Sequence, residues 1–181
     1  MSTEIKEMLI AIRVQDQFGV LSRVASLVSR RGFNIDTLTV SATETPGISR
    51  MTLSLKGDEY TRKQLIKQLS KLHEVLEINQ IDDNNSVTRD LLLIKIHTTS
   101  ENRQDAMDAV NVFRGSIVDF ARDSLVIQLA GDVGKINAFV ELMKPFGIME
   151  MCRTGLISLD RGNTCLKDSN MNYINRMDQQ F

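Results

Sequence analysis

Apolar residues in this chain recur every second position, then every third or fourth, then every second again, and the whole order is run through twice. Met8, Ile10, Ile12 and Val14 have the spacing of a half-buried strand. From Val20 the spacing lengthens. Leu21, Val24, Ala25 and Val28 lie on one side of a helix, and Gly32 stands where a helix stops. Phe33 to Thr43 alternates again, Thr45-Pro46-Gly47 reads as a turn, and Met51, Leu53 and Leu55 mark a third strand. Beyond Gly57-Asp58, Leu65, Leu69 and Leu72 form a second helical stripe, and Val75 to Ile81 is a last short strand. None of these elements can bury its apolar side alone. Two helices laid on one face of a four-stranded antiparallel sheet satisfy all six.

The polar run Asp82-Asp83-Asn84-Asn85-Ser86 has no apolar anchor and reads as a linker. The order then returns. A strand begins at Leu91, with apolar residues on both faces near its start. A helix runs from Glu101 to Phe113, with Ala106, Ala109, Val110 and Phe113 on one side, and Arg114-Gly115 ends it. Strands follow at Ile117 to Ala121 and Leu125 to Ala130. The helix Lys135 to Lys144 turns Ile136, Phe139, Val140 and Met143 inward, and Ile148 to Leu159 is the final strand. The expectation is an α+β chain of two tandem βαββαβ domains, the split βαβ arrangement called ferredoxin-like. The domains are expected at 1–81 and 89–160, joined by a linker at 82–88. Residues 161–181, rich in Asn, Asp and Gln, read as a mobile tail.

The formal net charge of −1 gives no electrostatic reason to expect a nucleic-acid partner, and the pair Arg30-Arg31 reads as a solvated helix end. No apolar run approaches the roughly 20 residues of a membrane span, and Met1 to Glu7 lacks the apolar stretch of a secretory signal. Cys152 and Cys165 make no metal-type pair and no disulfide framework. A reducing cytoplasm is the expected compartment, with Cys152 inert and buried within its strand. His73 and His97, the only histidines, read as structural or surface residues at the ends of elements, without the spacing of metal ligands. Gly131 to Lys135 lacks the spacing of a phosphate loop and reads as a strand-to-helix turn, and Arg62 and Lys63 with Glu59 read as a solvated helix face. No nucleophile with a base and no carboxylate pair points to catalysis.

One loop stands apart. Asp16-Gln17-Phe18-Gly19 joins the first strand to the start of the first helix. Gly19 allows close backbone approach or a positive φ, the helix start offers free amides and a positive dipole end, and Asp16 could receive an ammonium group. A small zwitterion fits that chemistry. So does a plain turn, and periodicity alone does not separate the two.

The run Asp16-Gln17-Phe18-Gly19-Val20-Leu21-Ser22-Arg23 resembles the first signature of the ACT domain. Arg31 to Val40, read Arg-Gly-Phe-Asn-Ile-Asp-Thr-Leu-Thr-Val, is similar to a segment typical of the acetolactate synthase small-subunit family, and Ser49-Arg50-Met51-Thr52 follows at that family's distance. In the second half Phe113 to Asp119, Leu129-Ala130-Gly131, Gly134 to Phe139, Arg153-Thr154-Gly155 and Leu159 to Gly162 continue the resemblance in order. It implies a non-catalytic regulatory chain with an N-terminal ACT domain, acting in branched-chain amino acid biosynthesis. Its partner would be a separate, larger enzyme that carries thiamine diphosphate, Mg2+ and FAD. This chain would raise that enzyme's activity and confer feedback inhibition, usually by valine.

The resemblance also implies an effector site between the ACT domains of a homodimer, at Asp16, Gly19, Val20 and Asn34, with Leu21 and Ile35 as apolar neighbours. Strand order is compatible with such a dimer: the second strand of such a sheet is an edge, and Phe33 to Val40 has no Pro or Lys to block pairing with a second copy. The competing expectation is a free-standing amino-acid sensor acting on another enzyme or regulator.

Overall fold

A computed structural model describes residues 6–168, and the chain forms two compact units, each described separately below. The first sheet contains β1 (Lys6–Gln15), β2 (Ile35–Ala42), β3 (Ile48–Gly57) and β4 (Val75–Gln80) in the antiparallel order β2-β3-β1-β4, with β2 at one edge. Helices α1 (Val20–Arg30) and α2 (Glu59–Leu69) cover one face. Ile10, Ile12, Leu53 and Leu55 point from the strands to Val24 and Val28 of α1 and Leu65 and Leu69 of α2, all buried. Leu72 falls in the turn after α2 rather than on it, and still packs against this core. His73 lies in the same turn.

Helix α1 stops where its composition requires. Gly32 adopts φ +78°, and the Phe33 amide donates to the Val28 carbonyl across it, a Schellman closure that also brings Phe33 into the core beside Val28. The chain therefore re-enters the sheet at a set point, and β2 starts at Ile35, two residues later than the alternation alone suggests.

The second unit repeats the plan with β5 (Ser86–His97), α3 (Arg103–Val112), β6 (Ser116–Phe120), β7 (Ser124–Gly131), α4 (Val133–Met143) and β8 (Ile148–Arg153), in the sheet order β6-β7-β5-β8. Its core is Leu92, Ile94 and Ile96 against Ala106, Val110, Ile136, Phe139 and Met143. The Phe113 and Phe139 rings meet at 5.2 Å in a tilted arrangement. Gly131 to Lys135 is the expected strand-to-helix turn, in which the Asp132 side chain accepts from the Lys135 amide at 2.8 Å.

Four readings are corrected. The stretch at 82–88 is not an open linker: Asp83–Asn85 form a 3₁₀ turn capped by Asp82, and β5 has begun by Ser86. The final strand is not continuous to Leu159. Gly155, at φ +78°, breaks it into β8 and β9 (Ile157–Asp160), and β9 pairs with β5. Cys152 is exposed rather than buried. It pairs in register with Leu93, and because Ile94 faces the helices, Leu93 and Cys152 face away from them.

The fourth correction concerns the expected domain end at 160 and the tail at 161–181. Residues 158–168 group with the first unit. The Arg161 amide donates to the Asn85 carbonyl at 2.9 Å. The 3₁₀ turn Leu166–Asp168 packs on β1 and β4 and buries Leu166. One buried apolar side chain and this polar tie hold back a segment whose composition is otherwise polar. The rest of the expected tail, 169–181, lies outside the described residues.

Candidate functional site

The β1–α1 junction is built from the backbone outward. The Gln15 amide donates to the Glu74 carbonyl at 2.9 Å and the Asp16 amide to the Gly47 carbonyl at 2.8 Å, which ties the strand end to two neighbouring turns. Gly19 is the N-cap of α1, with φ +84° and no side-chain cap on the first turn. A Cβ at Gly19 would meet only Arg23 Nη2, at 3.5 Å, an ordinary contact. The left-handed backbone, not a lack of space, is therefore what requires glycine. The uncapped amides and the dipole of α1 face the loop from one side, and the exposed Asp16 carboxylate lies on the same loop.

Arg23 and Glu74, which the pattern reading missed, hold this loop. Arg23 Nη1 lies 2.6 Å from Glu74 Oε1, and Nη2 donates to the Phe18 carbonyl at 3.3 Å. Glu74 is only 7% exposed, and this guanidinium is its ion-pair partner. Arg23 sits four residues after Gly19, a helical spacing that could have flagged it. Nothing local in the sequence points to Glu74.

The expected site residues fall into two groups. Asp16 and Gly19 lie on the loop, and Leu21 is exposed beside them at the start of α1. Val20 is a core residue whose side chain packs with Val24 and Val28, so only its backbone serves the loop. Phe18 projects wholly into solvent. Asn34 and Ile35 lie at the other end of the sheet. Ile35 pairs with Leu55, and Leu55 with Met8, whereas Gln15 pairs with Ile48. Seven residues of strand separate the two levels, roughly 23 Å at strand rise. Asn34 is exposed and donates to Asp36 Oδ1 at 3.4 Å, and Ile35 is half-buried. One chain does not bring the two groups together.

Residues 10–77 match the family model described as the AHAS small subunit-like ACT domain, and residues 89–162 match the one described as the small subunit of acetolactate synthase. The chain is 42% identical over 153 residues to the acetolactate synthase small subunit of Mycobacterium bovis, covering 84% of this chain and 91% of that one. The chain belongs to the acetolactate synthase small-subunit family. To the small subunit of Aquifex aeolicus it is 39% identical over 168 residues, covering 92% and 88%. The crystal structure of the acetolactate synthase small subunit from Thermotoga maritima superposes with a TM-score of 0.82 at 38% identity, covering 88% of this chain and 99% of that one. The two ferredoxin-like units, the first an ACT domain, are those of this family. Among the described residues no helix is long and apolar enough to cross a membrane.

Proposed function

We propose that this small subunit regulates a separate catalytic subunit in the cytoplasm, raising its activity and carrying feedback inhibition by a branched-chain amino acid, valine before the others. The single observation that carries this reading is the uncapped, Gly19-led start of α1 beside the Asp16 carboxylate. An amino-acid effector would set its carboxylate against the first-turn amides and its ammonium against Asp16. Leu21 and Ile35 would flank its side chain.

The second half of the site comes from a second copy of the chain. Antiparallel pairing of the edge strand β2 with its copy places the start of one β2 against the end of the other. Ala42 pairs with Ser49, at the end of the sheet where the Asp16 amide meets Gly47. Asn34 of one protomer then lies beside the loop of its partner, and the homodimer completes a site that one chain holds in two separated parts. Inhibition follows by linkage: an effector that binds one state of the complex more tightly moves the equilibrium toward it. Thiamine diphosphate, Mg2+ and FAD belong, in this reading, to the catalytic subunit, which condenses two pyruvates or pyruvate with 2-oxobutanoate.

The test is reconstitution. Catalytic subunit titrated with this chain gains activity, valine removes the gain, and the chain alone makes no acetolactate from pyruvate. A rise in activity that valine, leucine and isoleucine all leave intact would reject the sensing role. No rise at all, with no co-purification, would reject the regulatory one.

A further inference from the structure

A second feature of the first unit lies on the face of the sheet opposite the helices. Arg13 of β1 and Arg50 of β3 are direct cross-strand partners on that face. Like charges in this position repel each other across the pair. The C-terminal return runs past them, and together they line a cavity of about 630 Å³. Lys167 adds a third cation at its wall, against the carboxylates of Glu44 and Asp160.

Arg50 has a structural role that explains its presence. Its Nη2 donates to the Ser158 carbonyl at 2.6 Å and holds the return to the sheet. Burial pulls its pKa below the ordinary value, and the Asp160 carboxylate acts against that shift. Arg13 has no comparable explanation. Its side chain is 11% exposed, yet its polar contacts are all long: Thr45 Oγ1 at 3.5 Å, Glu77 at 3.5 Å and Glu44 at 3.8 Å. Its Nε is buried without a hydrogen-bond partner. Glu44, the carboxylate on the cavity side, has a side chain 73% exposed on a surface turn, and its Oε1 also accepts from Thr45 Oγ1 at 3.3 Å. Glu77 lies on the neighbouring strand, and burial raises its pKa against the pull of Arg13.

We propose that this cavity is a binding site for a small ligand bearing oxyanion groups, a phosphate ester or a dicarboxylate, held between the guanidinium groups of Arg13 and Arg50 with Lys167 at the rim. An oxyanion there turns the repulsive cross-strand pair into a two-sided clamp. Guanidinium groups suit this task because their donors are planar and divergent. The site is independent of the effector loop, and it stands whether or not that loop binds an amino acid.

Cys165 lines the same cavity and its thiol is exposed, which makes it a reporter. The full chain carrying Cys152→Ser has Cys165 as its only thiol. Its rate of modification by a chromogenic disulfide reagent is measured against inorganic phosphate, malonate and chloride at constant ionic strength. Phosphate or malonate slows labelling saturably, by roughly tenfold at ten times the dissociation constant, and chloride does not. Whichever of the two protects at lower concentration identifies the ligand class. Arg13→Gln removes the protection. Lys167→Gln, at an exposed position, weakens it. Absence of protection by either anion in the parent chain overturns the proposal. So does protection that chloride reproduces, or that survives both substitutions.

Discussion

At the turn from its first strand into its first helix, the N-terminal half places Gly19 at φ +84° and no capping side chain. At the same point of the fold, between β5 and α3, the C-terminal half places Thr99 and Asn102. The Thr99 amide donates to Asn102 Oδ1 at 2.8 Å, and the Asn102 amide donates to Thr99 Oγ1 at 3.4 Å. The turn before α3 is closed by two side-chain hydrogen bonds, whereas the loop before α1 is closed by backbone, its Val20 amide donating to the Gln17 carbonyl at 3.3 Å; neither N-cap residue caps its helix with its side chain. The edges differ too. β2 presents eight residues and β6 five, although each has a register shift against its neighbour, after Ile35 and after Ile117. A shared topology thus says little about which half carries a site. The cap residues and the edge lengths say more.

The largest effect should come from the junction before α1. Gly19→Asp puts a side chain at a positive φ and a like charge against the effector carboxylate. The strain alone is worth about 1–3 kcal/mol. The midpoint for valine in the reconstituted complex should rise beyond measurable range, with activation of the catalytic subunit retained. An unchanged midpoint would place the effector elsewhere and would remove the contrast between the two junctions.

Leu166→Ala should come next. It removes a buried side chain that the first unit borrows from the end of the chain, at a cost of roughly 3 kcal/mol. Amide exchange should quicken in β1 and β4 and stay slow in β5 and β7. Equal acceleration in both sheets would show that the return serves the whole chain rather than one half.

Val40→Lys sharpens the comparison of edges. Val40 pairs with Met51 on the helix side of the sheet edge and is 41% exposed. A charge there must be desolvated when a second β2 docks. Sedimentation equilibrium should show self-association weakened about tenfold, or roughly 1.4 kcal/mol. Val118→Lys, on β6, should leave association unchanged. The smallest effect belongs to the junction before α3. Asn102→Ala should cost about 1 kcal/mol in urea unfolding and leave the valine midpoint where it was.

Much of this was readable before any coordinates. The two βαββαβ repeats follow from apolar spacing, because a strand of period two and a helix of period near 3.6 each leave a local trace. Gly19 and Gly32 were legible for a similar reason: both glycines stand at a change of period, and both adopt positive φ. The Asp16 to Leu21 loop could be singled out because its residues are contiguous.

What sequence could not supply were partnerships between positions far apart in the chain. Glu74 holds the β1–α1 loop through Arg23, and no periodicity connects a residue before β4 with the first turns of α1. The polar stretch after Asp160 lacked the pattern of a folded segment, yet burial of Leu166 and the hold of Arg50 on Ser158 fix it against the first sheet. Cys152 faces away from the core because β8 registers with β5 as it does. Sequence determined the elements and their order through local, repeating spacing. Tertiary structure decided which charges meet, which face a thiol occupies and where the chain's end belongs, because those depend on register and on contacts that loop closure, not local propensity, brings about.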